Sequence, residues 1–318
     1  MKKLLTLSAF VVVASSSFAV FFETEPNDTY LTPNVFSGVV AGDIVSGTTT
    51  GSSSTTAGSA SADYFRLNMA AQAQGIYKTQ IALTSATLAH SGVLVGRSTL
   101  NATTSATIQS SGTLTTPARM NQWYSFGSAE TINYKVTGLA TTTAAYEARI
   151  SQTLITPTNL GTTTAGLHTF DLTSTLDTEI YVMDLAGNVI SMGDDDLATS
   201  SSSTAATLIA GQSYYIAVGR YNLAGNAQST LANSPTESFL SGSFFDSAGG
   251  FVASGGTSAG SYTLNMDATA VGSGAFVAST DNYRVDFYQV QAVPEPTSMV
   301  ALGLGAAAML RRRRSNKA

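Results

Sequence analysis

The segment EIYVMDLAGNVISM, residues 179–192, contains two short runs of strand-forming residues on either side of a turn. The first run contains Ile180, Tyr181 and Val182 and the second contains Val189 and Ile190, and such β-branched and aromatic side chains are enriched in β-strands. Gly187 and Asn188 stand between the runs, and both residue types tolerate the positive φ that a tight hairpin requires. The segment therefore predicts an antiparallel β-hairpin.

Short runs of the same kind recur along the whole chain, separated by Gly, Ser and Thr. They cover residues 62–67, 75–83, 93–95, 132–136 and 146–150 and, after a break at 156–159, residues 167–172, 213–218, 261–266 and 283–290. Only 11% of the residues are charged, whereas 43% are hydrophobic and 9% are aromatic, which is too apolar for a disordered chain. We therefore predict an all-β fold with two jelly-roll-like β-sandwich domains, residues 20–153 and 154–292.

The N-terminal end has the layout of a secretory signal peptide. Two lysines precede an apolar stretch at residues 4–14, and small residues lead up to Ala19. We predict translocation by the Sec export machinery and cleavage after Ala19, so residues 1–19 are not part of the predicted fold.

The C-terminal end combines three features in order: Val293, Pro294, Glu295 and Pro296, then an apolar stretch at 299–310, then Arg311, Arg312, Arg313 and Arg314. A helix over that apolar stretch rises about 18 Å, which is short of the roughly 30 Å hydrocarbon core of a bilayer. Arginines placed directly after it are held on the cytoplasmic side. We predict a short transmembrane, stop-transfer helix within residues 293–318. The alternative is a C-terminal core helix with a solvated basic end.

These last residues resemble the PEP-CTERM sorting signal of Gram-negative bacteria. The resemblance implies that an exosortase recognises and removes the tail after transient membrane anchoring, in a bacterium that makes exopolysaccharide. The expected location of the mature protein is the outer surface or the extracellular matrix.

Composition excludes several functional classes. Without the two terminal segments, eight Lys and Arg remain against 20 acidic residues, so the mature chain carries a charge of about −12. The eight cations are scattered singly, whereas nucleic-acid binding needs clustered Lys and Arg, and we predict no nucleic-acid partner. The chain has no cysteine, which excludes disulfides, thiol nucleophiles and Cys-ligated metals.

Two regions resemble the bacterial pre-peptidase C-terminal domain, a small β-sandwich attached to secreted proteins. The first consists of residues 23–29 (ETEPNDT) and 62–67 (ADYFRL). The second consists of residues 177–188, the acidic run 194–196 and residues 208–218. The first region has no hairpin with an acidic turn and the second has no opening acidic motif. Two degenerate copies and one family domain beside an unrelated neighbour therefore both remain open.

The opening motif predicts a calcium site. Glu23, Glu25, Asn27 and Asp28 place four oxygen-bearing side chains within six residues, and Ca²⁺ takes 6 to 8 hard oxygen ligands. The resemblance implies a calcium clamp that includes the position of Asp63. A bare acidic strand without metal is the alternative, because residues 58–62 supply no further carboxylate. For residues 194–196, a solvated polar turn is favoured over a calcium loop.

Catalytic patterns are weak, and we predict a protein that is not an enzyme and has no cofactor other than this calcium. The G-x-S-x-G match at 256–260 lacks a later histidine, since the two histidines are His90 and His168. The runner-up function is a calcium-dependent carbohydrate-binding or adhesive module for exopolysaccharide. A glycan-active enzyme is a third alternative. Residues considered for these two alternatives are the stacking pairs Trp123-Tyr124 and Tyr214-Tyr215 and the carboxylates Glu130, Glu147 and Glu179.

Overall fold

The structure is a computed structural model. It describes residues 18–49, 62–85, 90–97, 105–115, 118–138, 144–193, 195–196, 199–220, 223–225, 251–253, 259–277 and 283–295. The described residues form strands, turns and bends without any helix, so the prediction of an all-β fold is confirmed. Accordingly, this part of the chain has no helix long and apolar enough to cross a membrane. The predicted C-terminal helix and most of the predicted signal peptide lie outside the described residues.

Strands follow one another along the chain and are numbered in order. They are β1 (Val20–Phe22), β2 (Asn34–Val39), β3 (Ile44–Thr48), β4 (Ala62–Met69), β5 (Ile76–Ser85), β6 (His90–Arg97), β7 (Ser105–Ser110), β8 (Gly112–Thr115), β9 (Ala118–Ser125), β10 (Glu130–Gly138), β11 (Ala145–Ile155), β12 (Thr158–Thr164), β13 (Gly166–Ser174), β14 (Thr178–Asp184), β15 (Val189–Gly193), β16 (Asp195–Asp196), β17 (Thr199–Leu208), β18 (Ser213–Arg220), β19 (Leu223–Gly225), β20 (Phe251–Ala253), β21 (Gly260–Met266), β22 (Thr269–Phe276) and β23 (Val285–Val293).

The first sandwich is built from two sheets that share one core. One sheet has the order β1-β3-β11-β5-β9-β20-β19, with β8 also paired to β9, and the other has the order β2-β4-β10-β6-β7. Strand β4 shows the reason for this packing, because its residues alternate between half-buried and buried along its whole length. Its inward residues Phe65, Leu67 and Met69 join Trp123 and Tyr146 in the core between the sheets.

The second sandwich repeats this arrangement with two five-stranded sheets. Their orders are β12-β23-β18-β14-β15 and β16-β17-β13-β21-β22. The core between them contains Phe170 and Leu264 from the second sheet and Ile180, Ile216 and Val290 from the first.

The hairpin predicted at residues 179–192 is confirmed by the antiparallel pairing of β14 with β15. Gly187 adopts the positive φ that its turn requires, at 84°. Asn188 instead donates its side-chain amide to the carboxylate of Asp184 at 2.8 Å. A Cβ on Gly187 would come within 2.1 Å of the Phe126 ring, so the turn also needs glycine because it lies against the first sandwich.

A third apolar cluster joins the two sandwiches. It contains Ile76, Tyr124 and Phe126 from the first sandwich and Tyr181, Met183, Met192, Tyr215, Ala217, Val285 and Phe287 from the second. Strands β14 and β18 are therefore buried on both faces. Strand β20 also pairs with β9, so a segment that follows β18 in the chain extends a sheet of the first sandwich.

Candidate metal centre

The segment that carries the opening acidic motif is tied to the first sandwich through its backbone. Strand β1 pairs in parallel with β3, and the amide of Glu23 continues this pairing to the carbonyl of Ser46 at 3.0 Å. At the other end, the amide of Tyr64 in β4 donates to the carbonyl of Asn27 at 2.9 Å. Residues 23–27 are thus held between two strands of different sheets, beside the first residues of β4.

Three of the five predicted ligands come together at this point. Glu23, Glu25 and Asp63 each offer an oxygen, and these oxygens lie within 4.8 Å of one another. The hydroxyl of Tyr146 in β11 lies 2.6 Å from Oδ2 of Asp63 and 3.0 Å from Oε2 of Glu23. Because that hydroxyl has a single proton, it can satisfy only one of the two carboxylates at a time.

Burial raises the pKa of Asp63 to about 7, and the negative charges of Glu23 and Glu25 add to the increase. The hydrogen bond from Tyr146 opposes this shift. Among the described residues, none of the three carboxylates forms a salt bridge. A bound cation would remove both the mutual repulsion and part of the burial cost.

Two buried oxygens, one in the cluster and one beside it, have no hydrogen-bond partner. They are Oδ1 of Asp63 and Oδ1 of Asn27, and both residues are fully buried. The backbone amide of Asn27 donates to Oε2 of Glu25 at 3.2 Å, which keeps Asn27 next to the carboxylates. Buried polar atoms are normally paired, so an unpartnered oxygen on Asp63 and a second one on the neighbouring Asn27 suit a hard cation such as Ca²⁺.

The remaining predicted ligand lies apart, because Asp28 is exposed and does not belong to the carboxylate group. Sequence reasoning missed two neighbours of the cluster, Tyr146 and His90. The His90 ring lies 5.0 Å from the Tyr146 ring, and burial lowers its pKa. No spacing pattern links these residues to the opening motif. The pairing of β11 with β3 places Tyr146 beside it, and the ring contact with Tyr146 places His90 there.

The other described candidate residues lie apart from this cluster and from one another. His168 contacts the carboxylate of Asp267 at 2.6 Å and the carbonyl of Thr164 at 2.7 Å. Glu130 and Glu179 are buried in different sandwiches, whereas Glu147 is exposed. Asp194 and most of residues 256–260 lie outside the described residues.

The four aromatic residues considered as a sugar-stacking face are buried. Trp123, Tyr124, Tyr214 and Tyr215 are at most 6% exposed. Trp123 and Tyr214 belong to the two sandwich cores, while Tyr124 and Tyr215 lie between the sandwiches. A ligand cannot stack on any of them without unfolding part of the protein.

Calcium is expected to raise the unfolding midpoint of the first sandwich, because a ligand bound only by the folded state stabilises that state. At a calcium concentration 100 times the Kd the gain is about 2.7 kcal/mol. Glu25→Gln should abolish this gain, because it removes one carboxylate from the group. Asp28→Asn is the matched control and should keep the gain. Calorimetry without heat or midpoint shift at millimolar calcium would support the bare acidic strand.

Comparison with known families identifies the tail of the chain. The PEP-CTERM protein-sorting motif matches residues 292–314, which contain Val293, Pro294, Glu295, Pro296 and the four arginines. No curated protein matches the chain. The resemblance to pre-peptidase C-terminal domains has no support from the comparisons and stays a hypothesis. The matched motif implies that the protein is exported, sorted through membrane anchoring in a Gram-negative bacterium, and processed by exosortase.

Proposed function

We propose that the mature protein is a non-enzymatic component of the cell envelope or the exopolysaccharide matrix. The observation that carries this proposal is where the sorting motif begins. Its match starts at residue 292, inside β23, which lies between β12 and β18 in its sheet. Removal of the tail near Pro294 to Pro296 would leave this strand in place, so processing releases an intact two-sandwich body.

Replacing all four arginines by glutamine is expected to block processing of the tail. A neutral tail loses the positive charge that holds it on the cytoplasmic side, so the variant should be retained less well in the membrane and should keep its uncut tail. Mass spectrometry of the C-terminus, combined with fractionation of cells and matrix, measures both effects. Lys135→Gln, which removes a positive charge far from the tail, is the control. An intact Arg311 to Ala318 on released wild-type protein would contradict the proposal.

The absence of catalysis is part of the same proposal and is supported by the state of the polar side chains. Both histidines are buried and hydrogen-bonded to neighbouring groups. Glu130 is buried and its carboxyl group accepts a hydrogen bond from Nε1 of Trp123, so it does not reach a substrate in solution. Assays of the purified protein on polysaccharide, ester and peptide substrates should give no turnover. Reproducible product formation would refute this part of the proposal.

A calcium-dependent carbohydrate-binding or adhesive module is the second candidate. The carboxylate group with its two unpartnered buried oxygens favours it, because a cation there would fix the N-terminal strand on the sandwich. The buried aromatic pairs do not provide its binding face, so the ligand needs another surface. Retention on exopolysaccharide that is lost on chelation would support this candidate, and retention unaffected by chelation would count against it.

A further inference from the structure

A cleft of about 410 Å³ opens where the two sandwiches meet. Its floor is the outward face of β5 and β9, which carries Lys78, Gln80 and Gln122. Its walls are the start of β23 with the preceding Tyr283 and Arg284, part of β22, and the connection at 155–158. Because the apolar cluster between the sandwiches lies directly beneath, the floor and walls belong to one packed unit.

A network of hydrogen bonds fixes the orientation of both amides on the floor. Nε2 of Gln122 donates to the carbonyl of Tyr283 at 2.8 Å and to the hydroxyl of Tyr124 at 2.9 Å. Since a backbone carbonyl only accepts, the other end of this amide is the oxygen, and it accepts from Nε2 of Gln80 at 2.8 Å. Gln80 also directs Nε2 at the sulfur of Met120, at 2.9 Å.

Gln80 therefore presents its oxygen as an oriented acceptor. Among the described residues, Oε1 of Gln80 has no hydrogen-bond partner. A group that donates a proton to it, such as a ligand hydroxyl, completes its bonding.

The cleft is also a positive site in an acidic protein. Lys78 is half-buried two residues before Gln80 on the same face, and it has no carboxylate partner among the described residues. Arg284 lies over the ring of Phe276, 5.8 Å from its centroid, and donates Nε to Asp286 at 2.7 Å. The hydroxyl of Tyr262 also donates to Asp286, at 2.7 Å. The lining of the cleft thus contains two cations, Lys78 and Arg284, and one carboxylate, Asp286, although the mature chain is strongly negative.

We infer that this cleft binds a carboxylated sugar chain, with Lys78 and Arg284 contacting carboxylates and Gln80 accepting from a sugar hydroxyl. A ligand that satisfies both an ammonium and an oriented amide oxygen carries negative charge and hydroxyl donors together, as a uronic acid residue does. An open cleft suits a segment of a polymer better than a small enclosed molecule. The inference rests on the carbohydrate-binding part of the second candidate function, not on its calcium dependence, and specifies the ligand.

The test compares three probes on the full chain in mild detergent, by isothermal titration calorimetry. The probes are a galacturonate trimer, its methyl ester and a short polyacrylate of equal charge. The trimer should bind, whereas the ester, which lacks charge, and the polyacrylate, which lacks hydroxyls, should each bind about tenfold more weakly. Equal binding of trimer and polyacrylate would overturn the inference, and so would no binding of the trimer at about 10 mM.

The variant Lys78→Met tests whether the trimer binds in this cleft. It should weaken trimer binding about tenfold, while the matched control Lys135→Met leaves binding unchanged, because Lys135 lies over the Tyr64 ring on the opposite sheet. An unchanged Kd for Lys78→Met would refute the assignment to this cleft. Retention of the same wild-type preparation on exopolysaccharide is measured in parallel, so failure of trimer binding in this cleft and failure of the carbohydrate-binding candidate are distinguishable.

Discussion

Replacing Glu130 by glutamine is expected to stabilise the protein by about 2 to 3 kcal/mol at pH 8 and to change its stability little at pH 4. Glu130 begins β10 and is 4% exposed. Nε1 of Trp123 donates to its Oε1 at 2.7 Å, and its Oε2 is buried without a partner. Glutamine has nearly the same shape, keeps an acceptor for Trp123 and carries no charge.

The sign follows from the pKa of this carboxyl group. Burial raises the pKa of Glu130 from 4.5 to about 7, and hydrogen bonds from Trp123 and Ser125 only partly oppose that shift. Between these two values the unfolded chain is ionised while the folded protein still holds the proton, so wild-type stability falls as the pH rises. Above pH 7 both states are ionised and the loss is complete. The amide has no proton to lose and avoids this penalty.

Urea unfolding at pH 4 and pH 8, followed by the fluorescence of Trp123, measures the effect. Glu147→Gln is the matched control, since Glu147 is exposed, and it should change stability by less than about 0.5 kcal/mol at either pH. Asp63 adds its own pH dependence to every variant, so the difference between variant and wild type is the quantity to compare. A Glu130→Gln protein that is less stable than wild type at pH 8 would mean that the ionised carboxylate is paired in the folded state.

The sequence was sufficient to predict the strands but not the contacts between sandwiches. Alternation in β4 and the Gly187 turn follow from local chemistry, and the structure contains both. The unbroken apolar runs in β14 and β18 carried a further signal, because strands buried on both faces lose the polar half of the alternation. That signal predicts burial on both faces, yet it does not identify the partner, which here is the outward face of β5 and β9.

In the candidate metal centre, too, the sequence predicts local features but not the contacts between distant segments. Glu23 and Glu25 are close in sequence, and their proximity to each other could be predicted. The approach of Tyr146, more than a hundred residues away, depends on the registers of β1, β3 and β11. Oδ1 of Asn27 and Oδ1 of Asp63 have no hydrogen-bond partner. This follows from the packing around them, which no sequence motif predicts.

Replacing Phe287 by alanine is expected to cost about 3 to 4 kcal/mol and to uncouple the two sandwiches. Phe287 lies in β23 and is 4% exposed. Its ring makes edge contacts with Tyr124, at 5.1 Å between centroids, and with Phe126, at 6.3 Å. The substitution removes these contacts and leaves a cavity between the sandwiches, while the side chains within each sandwich core stay in place.

Two optical probes separate uncoupling from general destabilisation. The chain has a single tryptophan, Trp123, which lies in the first sandwich core, so its fluorescence reports that sandwich alone, whereas far-ultraviolet circular dichroism reports both. Both probes should give one shared midpoint in the wild type and different midpoints in Phe287→Ala. Phe22→Ala removes the same ring from a position that is 70% exposed, so it should keep a shared midpoint within about 0.5 kcal/mol of wild type. Coincident transitions in Phe287→Ala would show that the sandwiches unfold as one unit without this contact, and the cleft between them would then not depend on it.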